Sequence, residues 1–100
     1  MAQFVQQTTN SNTPSIASAT TALAANEKRV YFRIQNLGTN PLFVLLGTGA
    51  SNSVFHKVLK AATANDDGTG GELESGSVVY TGIITISGTS PRYTVTEISP

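Results

Sequence analysis

The 100-residue chain contains no cysteine, no tryptophan and one histidine, His56. Without cysteine, disulfides and thiolate metal sites are excluded. A histidine does chemistry only beside a nucleophile or further ligands, and the sequence places neither at a suitable spacing from His56. We therefore interpret His56 as a histidine on the surface of a strand.

Charge is also scarce, since Asp, Glu, Lys and Arg make up 12% of the chain and the formal net charge is zero. Nucleic-acid-binding proteins and electrostatic membrane anchors both need a cationic surface, so we expect neither partner. No apolar stretch approaches the roughly 20 residues that a membrane-spanning helix needs. The N-terminus lacks the basic and apolar regions of a signal peptide, and none is expected.

The abundant residues are threonine and serine, with 14 and 10 copies. Threonine is β-branched and suits a pleated, half-buried surface. The strong helix formers do not dominate the composition. The composition therefore favours an all-β protein.

Alternation of apolar and polar residues is clearest in 29–35, where Val30, Phe32 and Ile34 alternate with polar neighbours. A period of two predicts a strand with one buried face. The apolar run 42–46 predicts a second strand that is central or faces a partner subunit. The Gly, Asn and Pro residues of 36–41 predict a turn, so the two strands are expected to form a hairpin.

The C-terminal part predicts a second hairpin, from a strand over 78–87 and a strand over 92–98. Gly82 predicts a bulge in the first of these. Between the two hairpins, 55–59 predicts a short strand and the glycine-rich, acidic segment 64–76 predicts a loop.

Together these patterns predict an antiparallel β-sandwich or jelly-roll-like barrel of six to eight short strands. Residues 1–25 carry no charge and little apolar mass, which predicts an extended or partly ordered N-terminal arm, with a thin edge strand within 15–23. The β-sandwich domain is expected at 26–100. The expected core residues are Val30, Phe32, Ile34, Leu42, Val44, Val58, Ile84, Ile86 and Val95.

The one cluster of carboxylates is Asp66, Asp67, Glu72 and Glu74. Such a loop could bind Ca²⁺, but the spacing does not match an EF-hand. A glycosidase needs two acids held rigidly on opposite sides of a sugar, which one glycine-rich loop cannot provide. We favour a solvated loop with no metal site and no catalytic residue. The glycines of 68–71 lack the lysine and helix of a phosphate-binding loop and are read as a flexible segment.

Two features suggest contacts with other molecules. Tyr31, Tyr80 and Tyr93 could stack on sugars, although ordinary rim or interface positions explain them better in a chain without tryptophan. The charges are uneven, with a net of +4 over residues 27–60 and −4 over 61–80. In a repeated array, this asymmetry would give complementary charge between neighbouring subunits.

Five segments made of turns and strands together cover about residues 24–97. They are Ala24–Arg29, Ile34–Val44, Phe55–Ala61, Asp66–Gly71 and Tyr80–Val95. These segments resemble the small virion-associated β proteins of tailed bacteriophages. The resemblance implies a head-decoration, cement or other minor virion role.

We therefore expect a non-enzymatic structural protein of the virion, assembled in the host cytoplasm, with no cofactor. Its expected partners are the major capsid protein or other virion subunits, and it is expected to form a homo-oligomer. The alternative function is an adhesion or receptor-binding module at a tail or vertex spike, recognising a cell-surface glycan with loops such as 64–76. The expected interface residues are Phe4, Val5, Ile16, Leu23, Phe43 and Leu45.

Overall fold

In the computed structural model, residues 4–10 and 20–99 are described, the first of these ranges by its backbone. These residues contain eight strands and no helix, as the composition predicts. The strands are β1 (Phe4–Asn10), β2 (Thr20–Leu23), β3 (Tyr31–Asn36), β4 (Leu42–Leu45), β5 (Lys57–Leu59), β6 (Glu72–Glu74), β7 (Ile84–Gly88) and β8 (Tyr93–Ser99).

The strands form two antiparallel sheets of four strands each. The first sheet has the order β1-β8-β3-β6 and the second has the order β2-β7-β4-β5. The pairing is nested, because β1 pairs with β8, β2 with β7, β3 with β6 and β4 with β5. Every connection except the β4–β5 hairpin therefore carries the chain from one sheet to the other.

This topology contradicts both predicted hairpins. β3 and β4 lie in different sheets, and so do β7 and β8. The turn predicted at 36–41 is present, but it carries the chain from one sheet to the other. Within it, the backbone N–H of Leu37 donates a hydrogen bond to the carbonyl of Arg92. Local alternation defines the buried face of a strand, and it does not define the strand that its backbone groups bond to.

The apolar inner faces of the two sheets meet in a single core. Seven of the nine predicted core residues are buried there, namely Phe32, Ile34, Leu42, Val44, Ile84, Ile86 and Val95. Val30 and Val58 are exposed, so their assignment was wrong. Val30 precedes β3, and Val58 lies opposite Phe43 on the outer face while the adjacent Leu59 points inward opposite Leu42.

The predicted loop 64–76 contains a strand, β6. Its residues Glu72 and Glu74 are exposed and pair with Gln35 and Arg33 of β3. Charged residues are compatible with a strand whose outer face meets water, which is why composition alone placed this segment in a loop. β7 begins at Ile84 and not at Val78, which is almost fully exposed.

The boundary predicted at residue 25 does not coincide with a boundary of the sheets. β1 pairs with β8 over seven residues, from Phe4 opposite Ser99 to Asn10 opposite Tyr93. β2 pairs with β7 at the edge of the second sheet, where the sequence predicted a thin strand. Parts of the 1–25 segment thus belong to the two sheets.

Arg29 was expected on the polar side of a strand, but it is buried. Its Nε lies 2.8 Å from Glu97 Oε2, and its terminal nitrogens donate to the carbonyls of Tyr80, Gly82 and Ala24 at 2.7–3.1 Å. A buried guanidinium is tolerated only when its donors are satisfied, and these contacts supply that condition. Arg29 therefore ties together three segments at one end of the core.

Candidate functional site

The outer face of the second sheet carries an apolar surface formed by Phe43, Leu45, Phe55 and Val58. In β4 the buried residues Leu42 and Val44 alternate with the half-buried Phe43 and Leu45. The register sets Phe43 opposite Val58 of β5 and opposite Ser87 of β7. The alternation that fills the core on one side therefore leaves these apolar side chains on the other side.

The β4–β5 connection holds Phe55 against this face. The rings of Phe55 and Phe43 lie 5.1 Å apart between centroids, at an interplanar angle of 49°. His56 supports the arrangement, because its Nδ1 accepts a hydrogen bond of 3.0 Å from the backbone of Leu46. The side chains of Phe55 and Val58 nevertheless remain about 40% exposed. Exposed aromatic and β-branched side chains grouped on a short edge strand and on the connection before it mark a candidate contact surface.

The same connection crosses the outer face of β7. The buried Ala50 donates its backbone N–H to Thr85 Oγ1, which in turn donates to the carbonyl of Gly47 at 2.7 Å. Gly49 has a φ of 90°, a conformation that favours glycine. This crossing explains why Thr85 and Ser87 are buried although they point away from the core.

A groove of about 280 Å³ lies beside Phe43, between this connection and the end of β7. Its walls come from three separate parts of the chain and carry amide, hydroxyl and aromatic groups. They are formed by Asn40, Pro41, Phe43, Ser51, Asn52, Ser87, Gly88 and Thr89.

The six predicted interface residues are not brought together in the described part of the chain. Phe43 and Leu45 lie on the apolar surface, whereas Leu23 is half-buried in β2 and packs against the core. Phe4 and Val5 lie in β1, and their side chains are outside the described residues, as is Ile16.

Sequence reasoning missed Phe55 and Val58 as members of the surface. The signal that could have found them is the hairpin formed by β4 and β5, which brings their segment against Phe43. Once this pairing is assumed in place of the predicted β3–β4 hairpin, Leu59 becomes the inward residue of β5 and Val58 the outward one.

Two of the four clustered carboxylates hold the loop before β6. Asp66 accepts hydrogen bonds from the guanidinium of Arg92, and this contact lowers the pKa of Asp66. Asp67 accepts hydrogen bonds from the hydroxyl and the backbone N–H of Thr69, which lower the pKa of Asp67, and from the backbone of Ala64. The loop is thus held by Arg92 of the β7–β8 connection and by its own polar groups.

The other two carboxylates contact β3. Glu72 pairs with Arg33 at 2.6 Å and raises the pKa of that guanidinium. Glu74 accepts a hydrogen bond of 2.7 Å from the hydroxyl of Tyr31, which raises the pKa of the phenol. The four acids therefore have four separate partners, and no group of three or more metal-binding side chains occurs within the described ranges.

The three tyrosines do not form one surface. Tyr93 is buried in the core, Tyr80 packs against the core from its margin, and Tyr31 lies on β3 beside Glu74. The uneven charge along the chain is partly compensated by ion pairs within it, including Arg33–Glu72 and Arg29–Glu97. Lys57 begins β5 opposite Val44 and Lys60 follows the end of that strand, and both are exposed.

A search of the described ranges for a helix that is long and apolar enough to cross a membrane finds none. Comparison with protein-family models, with curated proteins and with solved structures finds no significant match for this chain.

Proposed function

We propose that this chain is a structural protein of a virion, a capsid decoration, cement or other minor capsid protein that stabilises the particle by contacts between subunits. The observation that carries the proposal is the apolar surface formed by Phe43, Leu45, Phe55 and Val58 on the outer face of the second sheet. Apolar side chains grouped in this way lose contact with water when a partner covers them.

The strand order supports the same proposal. Eight strands with nested pairing in two four-stranded sheets correspond to the jelly-roll arrangement, and we propose that the chain adopts it. Viral capsid domains use this architecture, but so do lectins and cupins. Architecture alone does not define a function, so the argument depends on the exposed surface.

The surface also suggests the chemistry of the partner. Its members are all uncharged and apolar, so a complementary partner presents an apolar patch of its own. The major capsid protein is the proposed partner. Repetition of a weak contact over many copies gives strong attachment without a large interface in each subunit.

The N-terminal segment is proposed as the second contact. Among the described strands, β1 lies at the edge of the first sheet, where a further strand could pair with it. Addition of a strand from a neighbouring copy would join subunits in a homo-oligomer. Phe4, Val5, Ile16 and Leu23 remain the proposed anchors of this contact.

Co-sedimentation with virus particles tests the proposal. The tagged chain is mixed with purified particles from the virus that encodes it, depleted of their own copies, and the bound amount is measured. We expect Val58→Thr combined with Phe55→Ser to reduce binding at least several-fold. The matched control is Val78→Thr, which changes a highly exposed valine outside the apolar surface.

Equal binding of both variants would exclude the apolar surface as the contact, and absence of the unmodified chain from particles would overturn the proposed function. The copy number in purified particles further separates decoration from adhesion. Many copies support decoration or cement, whereas a few copies at a tail or vertex support the adhesion module.

A further inference from the structure

We propose that the groove beside Phe43 binds one neutral saccharide unit. The groove shares Phe43 with the proposed subunit contact and extends from it toward the end of β7, whereas Val58 of that contact lies on the other side of Phe43, on β5. This proposal goes beyond the structural role and does not depend on it. It also differs from glycan recognition by the 64–76 loop, whose carboxylates are engaged by other groups of the chain.

The lining determines the chemical class of the ligand. None of the eight lining residues is charged. An anion such as phosphate would need basic side chains or a set of converging N–H groups, and a divalent cation would need carboxylates. Amides and hydroxyls supply both donors and acceptors, which match the hydroxyl groups of a neutral sugar.

The walls combine an aromatic side with a polar side. Phe43 provides an apolar wall for the C–H face of a sugar ring, and Asn40 and Asn52 provide amide groups on other walls. Ser87 and Thr89 add hydroxyls from the β7 end. Small-molecule sites commonly join an apolar wall to a few placed polar groups in this way.

The volume limits the size of the ligand. Sites for larger organic ligands usually occupy about 300–1,000 Å³. A groove of about 280 Å³ is just below that range, so it accommodates one sugar ring. A longer glycan would have to continue into solvent, which the open side of the groove permits.

The walls are held in place by contacts within the chain. Asn40 Nδ2 donates to the carbonyl of Thr89 at 3.1 Å, which joins the β3–β4 connection to the end of β7. Ser51 Oγ accepts hydrogen bonds from the backbone of Ser53 and of Val54, and these bonds fix the turn. A site that is already ordered loses little conformational entropy when a ligand binds.

A titration followed by two-dimensional amide NMR tests the proposal. Glucose, galactose and N-acetylglucosamine are each added to the full chain up to millimolar concentrations. We expect at least one of them to give saturable shifts that are centred on the amides of Asn40, Ser51, Asn52 and Thr89. Asn52→Ala should weaken that binding by about 2–10-fold, the value of one neutral hydrogen bond.

The matched control is Asn65→Ala, which removes an exposed asparagine side chain outside the groove and should leave the affinity unchanged. The proposal is overturned if no sugar produces saturable shifts, or if the shifts are centred on the 64–76 loop. Equal weakening by the two variants, or tighter binding of inorganic phosphate at the same amides, would also overturn it. None of these results bears on co-sedimentation with particles, so the two proposals fail independently.

Discussion

At the scale of single residues, Arg29 is the clearest case of a side chain whose role comes from its surroundings. Its side chain is fully buried, and that of its partner Glu97 is about 10% exposed. The guanidinium carbon also lies 5.8 Å from the centroid of the Phe32 ring. Replacing one partner of a buried pair leaves the other charge without compensation, which costs more than the pair itself contributes.

We therefore expect Arg29→Met to lower the free energy of unfolding by about 3–5 kcal/mol, because Glu97 and three carbonyl groups lose their donor. Urea denaturation measures the change. The control is Arg33→Met, which breaks the exposed pair with Glu72 and should cost about 0–1 kcal/mol. Similar losses of unfolding free energy in the two variants would contradict the stabilising role of the buried ion pair and hydrogen bonds of Arg29.

Phe32 and Val30 give a second comparison, since alternation places them on the same face of a strand while only Phe32 is buried. We expect Phe32→Ala to cost about 3–5 kcal/mol through lost burial and the cavity it leaves. Val30→Ala should cost about 0.5 kcal/mol or less, as is usual for surface substitutions. Denaturation in urea distinguishes the two, and a larger loss for Val30→Ala than for Phe32→Ala would contradict the burial of Phe32 and the exposure of Val30.

At the scale of elements, the glycine-rich segment before β6 packs closely against β3. A Cβ atom at Gly70 would lie 1.9 Å from the carbonyl oxygen of Asn36. That carbonyl belongs to the backbone and cannot rotate away. The segment therefore needs glycine at this position because of a neighbour that is distant in sequence.

We expect Gly70→Ala to lower the free energy of unfolding by about 1–3 kcal/mol, the usual cost of overpacking. At Gly76 a Cβ atom meets nothing within 4 Å, so Gly76→Ala is the matched control. It should be neutral or stabilising by about 0.4–1 kcal/mol, because alanine restricts the unfolded chain. Thermal unfolding measures both, and an unchanged melting temperature for Gly70→Ala would contradict the close packing.

The same loop predicts how the stability of the protein changes at acid pH. The pKa of Asp67 lies below the ordinary value of 3.8, mainly because it accepts a hydrogen bond from the Thr69 hydroxyl. A lowered pKa stabilises the fold above the pKa of the unfolded chain, and this contribution is lost as the pH falls through the folded pKa. We expect the urea midpoint to be steady near neutral pH and to fall below about pH 4.

Asp67→Asn and Thr69→Val should each reduce that fall, since they remove the acceptor charge and the donor respectively. Urea midpoints between pH 5 and pH 2 measure the effect. An Asp67→Asn variant that keeps the full acid dependence would show that this carboxylate does not contribute to it.

At the scale of the whole molecule, the two ends of the described chain are joined by the β1–β8 pairing. We expect deletion of residues 1–10 to lower the free energy of unfolding, by about 0.5–1.5 kcal/mol for each hydrogen bond lost from the ladder. Deletion also uncovers the edge of β8, so the shortened chain should self-associate. Thermal unfolding and sedimentation measure the two effects.

The control is deletion of residues 1–3, which leaves β1 intact. Equal stability of the two shortened chains and the full chain would mean that β1 does not contribute to the isolated fold. That outcome would favour the extended N-terminal arm that the sequence predicts over an integral strand.

The sequence by itself determined the structural class and most of the core. Alternation in 29–35 identified Phe32 and Ile34 as buried, and the turn residues of 36–41 marked the end of that strand. These features depend on the local chain, because the period of a strand and the φ preferences of Gly, Asn and Pro belong to neighbouring residues.

Only the tertiary structure decided which strands pair. That pairing also determines which residues come together in the candidate sites. The nested order places β4 beside β5 and β7, which brings Phe55 to Phe43 and forms the groove. It also surrounds Arg29 with carbonyls from Ala24 and from residues 80–82, so a charged side chain is buried. Such contacts join residues that are far apart in sequence, and the alternation of apolar and polar residues does not predict them.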